Sequence, residues 1–170
     1  MVQFRITKEN AVKINIAYYA ARSLDTLATL IQSQLKAIGI DSTLTVEEDP
    51  DATYIKTGDF DLALYCMIAD KSGDPYYFID STLRNGSYYD CGGFDNDQCE
   101  ALINQLAHET DTAKRAELAN QIIQIAIDDN AFGYVGLFNK ITCLQPGITG
   151  YANNNPFDFY AISADTDITA

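Results

Sequence analysis

At 170 residues, 47% of them hydrophobic and 21% charged, the chain has the length and composition of one globular domain with a sizeable core, not of a disordered segment. Its 11 Lys and Arg against 24 Asp and Glu give a formal charge of −13, which excludes nucleic acid and disfavours anionic membrane surfaces as partners, because both require basic contact surfaces. No apolar run approaches the roughly 20 residues needed to cross a bilayer, and the opening MVQFRITKEN lacks the apolar centre of a signal peptide, as expected of a cytoplasmic protein or of a piece of an exported one.

The stretch VKINIAY alternates, with Val12, Ile14, Ile16 and Tyr18 facing one way and Lys13, Asn15 and Ala17 the other, the pattern of a half-buried strand. Ser23 is placed to cap a helix, with Asp25 in the positive first turn. Leu24, Leu27, Ala28, Ile31, Leu35 and Ile38 then recur at helical spacing up to Gly39, a left-handed stop. Alternation resumes from Ile40 to Glu47 through Leu44 and Val46, completing a βαβ unit. Asp49-Pro50-Asp51 opens a short helix or turn that stops at Gly58. The nearly continuous apolar run from Phe60 to Met67 reads as a strand covered on both faces and therefore central in its sheet. Pro75 starts a short helix through Tyr76, Phe78 and Ile79, and Asn85-Gly86 and Gly92-Gly93 bracket a loop rich in turn residues. Two amphipathic helices follow. The first covers about 96–108 with Leu102, Ile103 and Leu106 inward; the second covers about 112–128 with Leu118, Ala119, Ile122 and Ala126 inward and Asp111 as its cap. Phe132 to Phe138 reads as a last core strand. From Gln145 the composition turns to Pro, Gly and Asn, and the last ten residues show no periodicity. The predicted fold class is a single α/β domain with a mixed or mostly parallel sheet flanked by helices.

The residues do not assemble an enzyme. The one histidine, His108, lies near a helix end, where a cation suits the helix dipole, and no nucleophile stands beside it in the sequence. No GxSxG, P-loop or GxGxxG is present. Carboxylate pairs such as Asp59/Asp61 and Asp95/Asp97 carry little information in so acidic a chain. The stretch DCGGFDNDQCE fails as a calcium loop, because its third position is Gly92 and its sixth is not glycine. Cys66, Cys91, Cys99 and Cys143 form no CxxC pair, so neither zinc nor a redox motif is expected, and no cofactor is. Cys66 reads as core. Cys91 and Cys99 straddle Gly92-Gly93, which makes a short disulfide loop geometrically possible in an oxidising compartment, although Cys99 falls inside a helix and points inward.

The aromatics say more. Tyrosine numbers 11, tryptophan is absent, and pairs recur at Tyr18-Tyr19, Tyr76-Tyr77 and Tyr88-Tyr89, offering flat apolar area plus a hydroxyl for a pocket that grips varied ligands. In open α/β sheets ligands lie beyond the carboxyl ends of the strands. The segment ADKSGDPYY follows the Phe60–Met67 run at such an end, and its Asp70 would suit an ammonium; the plainer reading is a solvated loop acid or a turn cap for Ser72.

Five segments in order resemble the extracellular solute-binding proteins of peptide/nickel ABC transporters, solute-binding protein family 5. IQSQLKAIGIDSTLTVEE is similar to the family's passage from helix through Gly-Ile to strand, and TGDFDLALYCMIAD to its following strand and acid. SGDPYYFIDSTL is similar to its Asp-Pro segment, HETDTAKRAELANQIIQIAIDDNAF to its Lys-Arg helix, and ITGYANNN to the Gly-Tyr passage after it. The resemblance implies a type II periplasmic-binding-protein-like fold in which residues 1–155 are the C-terminal lobe of a two-lobed protein and residues 156–170 a tail continuing toward the other lobe. It implies the substrate-binding component of an importer, not an enzyme, located extracellularly or in the cell envelope as a periplasmic protein or membrane-anchored lipoprotein. Its partners would be a small solute (a peptide or a metal chelate), an ABC transporter permease and the missing N-terminal lobe. The alternatives are a nickel or metallophore binder and an isolated interaction module without ligand affinity. Asp70 matches the family acid that pairs with a peptide's α-amino group. Lys71 and Ser72 beside it, Tyr88, Tyr89, and Arg22 of YYAAR, which resembles an arginine of the nickel/opine-like branch, complete the expected ligand-binding set. Asp74-Pro75 matches the family's Asp-Pro and reads as turn-forming. The chain departs from the family at Ile68-Ala69, where many members carry an aromatic, and in NGSYYD, which lacks the histidine of nickel-type members.

Overall fold

The computed structural model describes residues 12–138, 141–152 and 162–169, which divide into two compact units. The first comprises the described residues up to Met67 together with Cys91–Gly93; the second comprises Ile68–Asp90 and the described residues from Phe94 onward.

The first unit opens with strand β1 (Lys13–Tyr19), helix α1 (Leu24–Ala37) and strand β2 (Asp41–Glu47), followed by a one-turn helix α2 (Tyr54–Thr57) and a short strand β3 (Leu62–Ala63). The sheet order is β2-β1-β3 with both pairings parallel, and β1 lies against β2 along its whole length, from Lys13↔Asp41 to Tyr19↔Glu47. This is the βαβ unit expected from the periodicity. The apolar stripe Leu24, Leu27, Ala28, Ile31 and Leu35 packs onto Ile14, Ile16, Tyr18 and Leu44. Ala17, on the opposite face of β1, is buried as well, so the central strand is covered on both sides. Gly39, at φ 89°, ends the helix in the left-handed region that favours glycine. Ile38 and Val46, read as inward, are exposed.

Two expectations fail here, each for a physical reason. Ser23 does not cap α1: its own φ is 57°, and its side chain accepts no capping hydrogen bond. Capping by a hydroxyl needs an extended backbone at that residue; the Leu24 N–H instead donates to the Ala21 carbonyl at 3.0 Å. Nor is Phe60–Met67 a central strand. Only Leu62 and Ala63 pair, and they do so at the edge of the described sheet. At the start of the run the Asp61 carboxylate accepts the Asn15 N–H at 2.7 Å, and just past the pairing the Leu64 carbonyl accepts the Tyr54 hydroxyl at 2.9 Å. Side chains thus take the backbone groups that a longer ladder would use. The continuous apolarity reports burial, which Leu64 confirms, rather than strand length.

The second unit is helical. After a 3₁₀ turn at Lys71–Gly73 come α3 (Tyr76–Leu83), α4 (Asp97–His108) and α5 (Thr112–Asp128), then a short antiparallel pair of β4 (Ile148–Thr149) and β5 (Asp167–Ile168). Its core is Ile79 and Leu83 of α3, Cys99, Leu102, Ile103 and Leu106 of α4, and Ala119, Ile122 and Ala126 of α5. Asn96 Oδ1 accepts the Cys99 N–H at 3.0 Å and the Asp111 carboxylate accepts the Lys114 N–H at 2.9 Å, so both long helices carry side-chain caps. The tail's lack of periodicity did not foretell the β4–β5 pairing. It depends on Gly150, at φ 68°, whose missing side chain lets the Asp165 carbonyl approach. The expected boundary between residues 155 and 156 lies outside the described residues.

Phe132–Phe138 is not a strand: no described residue pairs with it, and Val135, Leu137 and Phe138 are exposed. Alternation makes a segment fit for a ladder but does not supply the neighbouring edge. The disulfide considered between Cys91 and Cys99 does not form. Cys99 is fully buried, and burial, followed by the charges of Glu100 and Asp129, pushes its thiol up to about 11. An unfolded thiol ionises near 9.0, so this group makes folding stability fall as pH rises past 9. In native protein at pH 8, a thiol-alkylating reagent is expected to modify exposed Cys143 and to spare Cys99 until denaturant is added. Rapid modification of Cys99 in the folded protein, read by peptide mass mapping, would contradict the placement of α4.

Candidate ligand-binding site

Within the first unit, the carboxyl ends of the parallel strands carry an aromatic and charged group. The Tyr19 ring lies 5.7 Å from Tyr65, tilted by 58°. The Arg22 guanidinium and the Cys66 backbone N–H approach the Tyr19 hydroxyl, and burial, then the Cys66 thiol, hold that hydroxyl above its usual range despite Arg22. Tyr65 donates to the Asp51 carboxylate at 3.2 Å. Burial likewise raises Tyr54, which keeps its proton and donates it to Leu64. Arg22 and Ser23 are consecutive non-glycine residues at φ 53° and 57°, a costly backbone of the kind that clusters at functional positions. The exposed Arg22 side chain is thus held just past the end of β1, where open α/β sheets bind ligands. Tyr19, Tyr65 and Cys66 were not singled out as site residues in the sequence. The doubled tyrosine at the end of the first strand was the available signal for Tyr19.

In the second unit, Asp70 immediately precedes the 3₁₀ turn. Its carbonyl accepts the Gly73 N–H at 2.9 Å, while its exposed carboxylate caps nothing and makes no ion pair among the described residues. The side chain of Ser72 lies outside the described part, so the suggested cap of Ser72 is untested. Lys71 does not neutralise Asp70 by an ion pair: its Nζ sits 4.2 Å from the centroid of the Tyr77 ring, a cation–π contact. Lys71, Asp74, Tyr76, Tyr77 and Arg115 line a shallow concavity of about 300 Å³. Tyr88 and Tyr89 pack edge to face at 4.8 Å, Tyr88 exposed and Tyr89 half-buried. Asp70, Lys71 and Ser72 therefore share one turn and the two tyrosines form one pair, whereas Arg22 belongs to the other unit.

Asp74 has a structural task. Its carboxylate takes two hydrogen bonds from Arg115, Nε to Oδ2 and Nη2 to Oδ1, both 2.9 Å, and one from the Tyr76 N–H at 2.8 Å. Arg115 Nη1 also donates to the carbonyls of Leu106 and Glu109, at 2.8 and 2.7 Å. One guanidinium thus closes the end of α4 and fixes the Asp-Pro corner four residues after Asp70. The turn-forming reading of Asp74 holds, and Arg115 as its partner was missed.

No profile of a known protein family matches the chain. The nickel-binding protein NikA of Staphylococcus aureus is 26% identical over 163 residues, 95% of this chain and 33% of its own length. A crystal structure of that protein in complex with Ni(L-His)2 matches with a TM-score of 0.68 at 28% identity, over 74% of this chain and 27% of its own. The chain is thus similar, over nearly its whole length, to a nickel-binding protein. It spans about a third of the length of the curated relative. At the level of fold alone, the nickel ABC transporter structure from Bacillus halodurans matches with a TM-score of 0.65 at 22% identity, covering 71% of this chain and 26% of its own. The Escherichia coli murein tripeptide binding protein MppA matches with a TM-score of 0.64 at 19% identity, covering 74% of this chain and 25% of its own. The α/β class predicted from the sequence is therefore that of a type II periplasmic-binding-protein-like lobe, a parallel sheet with flanking helices.

Proposed function

We propose that the chain is the C-terminal lobe of a two-lobed substrate-binding protein that captures a peptide or related small solute in the cell envelope and hands it to an ABC permease. It performs no catalysis of its own. The observation that carries this reading is the exposed carboxylate of Asp70, without an ion pair among the described residues, on a turn braced by Arg115, in a chain related to a nickel-binding protein over nearly its whole length. Lys71, Ser72, Tyr88 and Tyr89 would flank the solute, with Asp70 receiving an ammonium. A charge-assisted hydrogen bond of that kind is worth about 1.5–3 kcal/mol. In the complete binding protein, Asp70→Asn is expected to weaken a free-amine tripeptide at least tenfold by calorimetry and to leave its N-acetylated form nearly unchanged. Equal losses for both peptides, or none, would remove Asp70 from the site.

A second reading, a nickel-chelate binder, is favoured by Arg22, a guanidinium set beyond a strand end and suited to a chelator's carboxylate. Titration with Ni(II) and L-histidine separates the two: Arg22→Ala should then reduce affinity where Asp70→Asn does not. The lobe alone should bind either probe poorly. Half the contacts of a ~1 μM site, about 8 kcal/mol in all, leave roughly 4 kcal/mol, a millimolar affinity.

A further inference from the structure

Resting on the reading of Asp70 above, we propose that Tyr77 is a positioning residue of that site: its ring holds the Lys71 ammonium off the neighbouring Asp70 carboxylate, so that the turn keeps a negative charge for an amine-bearing solute. Asp70 and Lys71 are consecutive, exposed and oppositely charged, yet neither forms an ion pair among the described residues. The Lys71 Nζ lies instead 4.2 Å from the centroid of the Tyr77 ring. Tyr77 belongs to the first turn of α3, whose Ile79 and Leu83 are buried in the helical core. The entry to that helix is held by the Tyr76 N–H, which donates to the Asp74 carboxylate at 2.8 Å, and by the Arg115 fork on the same carboxylate. The ring is thus carried by a fixed element while itself 41% exposed, within reach of the turn.

The competing contacts are close enough in strength for one ring to decide where the lysine goes. A cation–π contact at an exposed site and an exposed Lys–Asp ion pair each shift an equilibrium by a factor of about two to five. Two carboxylates lie on this turn and corner. Asp74 is occupied by Arg115 and the Tyr76 N–H, which leaves Asp70 as the one open to a released lysine. A lysine paired there makes the turn neutral, and an incoming ammonium must displace it before binding. Arg115, the other cation lining the concavity, cannot take that part, because its donors are committed to Asp74 and to the carbonyls of Leu106 and Glu109. The discrimination that Tyr77 sharpens is therefore between solutes that present a free amine at this turn and those whose amine is blocked.

Nuclear magnetic resonance on the 170-residue protein reads the contact directly. The Lys71 Hε protons, assigned by their loss in Lys71→Met, are expected upfield of those of the other lysines and in Overhauser contact with the Tyr77 ring. Tyr77→Phe should keep both features. Tyr77→Leu should abolish them and bring the same protons into contact with the Asp70 Hβ protons. In the complete binding protein, calorimetry should find a free-amine tripeptide weakened about three- to fivefold by Tyr77→Leu and unaffected by Tyr77→Phe. The N-acetylated tripeptide should bind both variants as it binds the unsubstituted protein. In a Lys71→Met background, Tyr77→Leu should cost nothing further. A loss of the same size in that background would mean that Tyr77 touches the solute or shapes the turn itself, and would overturn the proposal. So would Lys71 protons that contact Asp70 in the unsubstituted protein, or that stay away from Asp70 in Tyr77→Leu. Should Asp70→Asn leave the free-amine tripeptide unaffected, the ammonium reading of Asp70 fails by itself, and the resonance measurements decide the Tyr77–Lys71 contact whatever that result.

Discussion

Ile122→Ala is expected to destabilise the helical unit by about 3–4 kcal/mol, the largest effect of any single change considered. Ile122 is fully buried at the centre of α5, enclosed by residues of α3 and α4 in one continuous core. Truncation removes three carbons' worth of transfer energy and leaves a cavity that three packed helices cannot collapse to fill; buried Ile→Ala changes cost about 2–5 kcal/mol for that reason. At roughly 2–4 °C per kcal/mol for a chain of this size, the melting temperature should fall by about 6–16 °C. Urea unfolding followed by helical circular dichroism measures the loss directly. A change below about 1 kcal/mol would mean that α5 does not pack as described.

Arg115→Ala should rank next, at about 2–3 kcal/mol. The side chains of Arg115 and Asp74 are 22% and 40% exposed, so their ion pair is screened and weaker than a fully buried one. The guanidinium nevertheless satisfies both carboxylate oxygens and two carbonyls at the carboxyl end of α4, where a cation also meets the helix dipole favourably. Its removal leaves the carboxylate with the Tyr76 N–H alone among these partners. Arg115→Lys should recover only part of the loss, since an ammonium cannot present the planar fork. Asp74→Asn should cost less than Arg115→Ala, because the two carbonyls keep their donor. The functional readout is hydrogen exchange at residues 71–74, which should accelerate in Arg115→Ala even at temperatures where the helices remain folded. Unchanged exchange there would mean that the clamp does not brace the turn bearing Asp70.

Legibility in the sequence followed the range of the interaction. β1, α1 and β2 were readable because alternation and helical spacing are local and Gly39 stops α1 through its own backbone; α4 and α5 were readable for the same reason, with Asn96 and Asp111 capping them through chemistry within three residues. The Asp-Pro corner was readable for the same reason. Arg115 as its partner was not, since 41 residues separate the two and no local pattern links them. The Phe60–Met67 run failed because its own Asp61 carboxylate takes the Asn15 N–H before the pairing and the Tyr54 hydroxyl takes the Leu64 carbonyl after it. Phe132–Phe138 failed because a strand is a property of two segments and only one is described. Asp70 could be nominated from its position after an apolar run. The grouping of Tyr19, Arg22 and Cys66 required the parallel register of β1 and β3, which brings the end of one strand beside the residues that follow the other.

The left-handed pair Arg22-Ser23 bears on the entropy of recognition. An arginine on an ordinary surface loop samples many rotamers over a pliant backbone, and an anion that captures it must quench both, at about 0.5–1.5 kcal/mol for such a side chain. Here the backbone sits in two adjacent narrow wells, and the guanidinium approaches the hydroxyl of a tyrosine that the sheet itself immobilises. Most of that disorder is removed during folding, before any partner arrives. Glycine at position 23 would ease the torsion while returning the freedom, so the same substitution that steadies the fold should make the arginine a slacker, less discriminating hand.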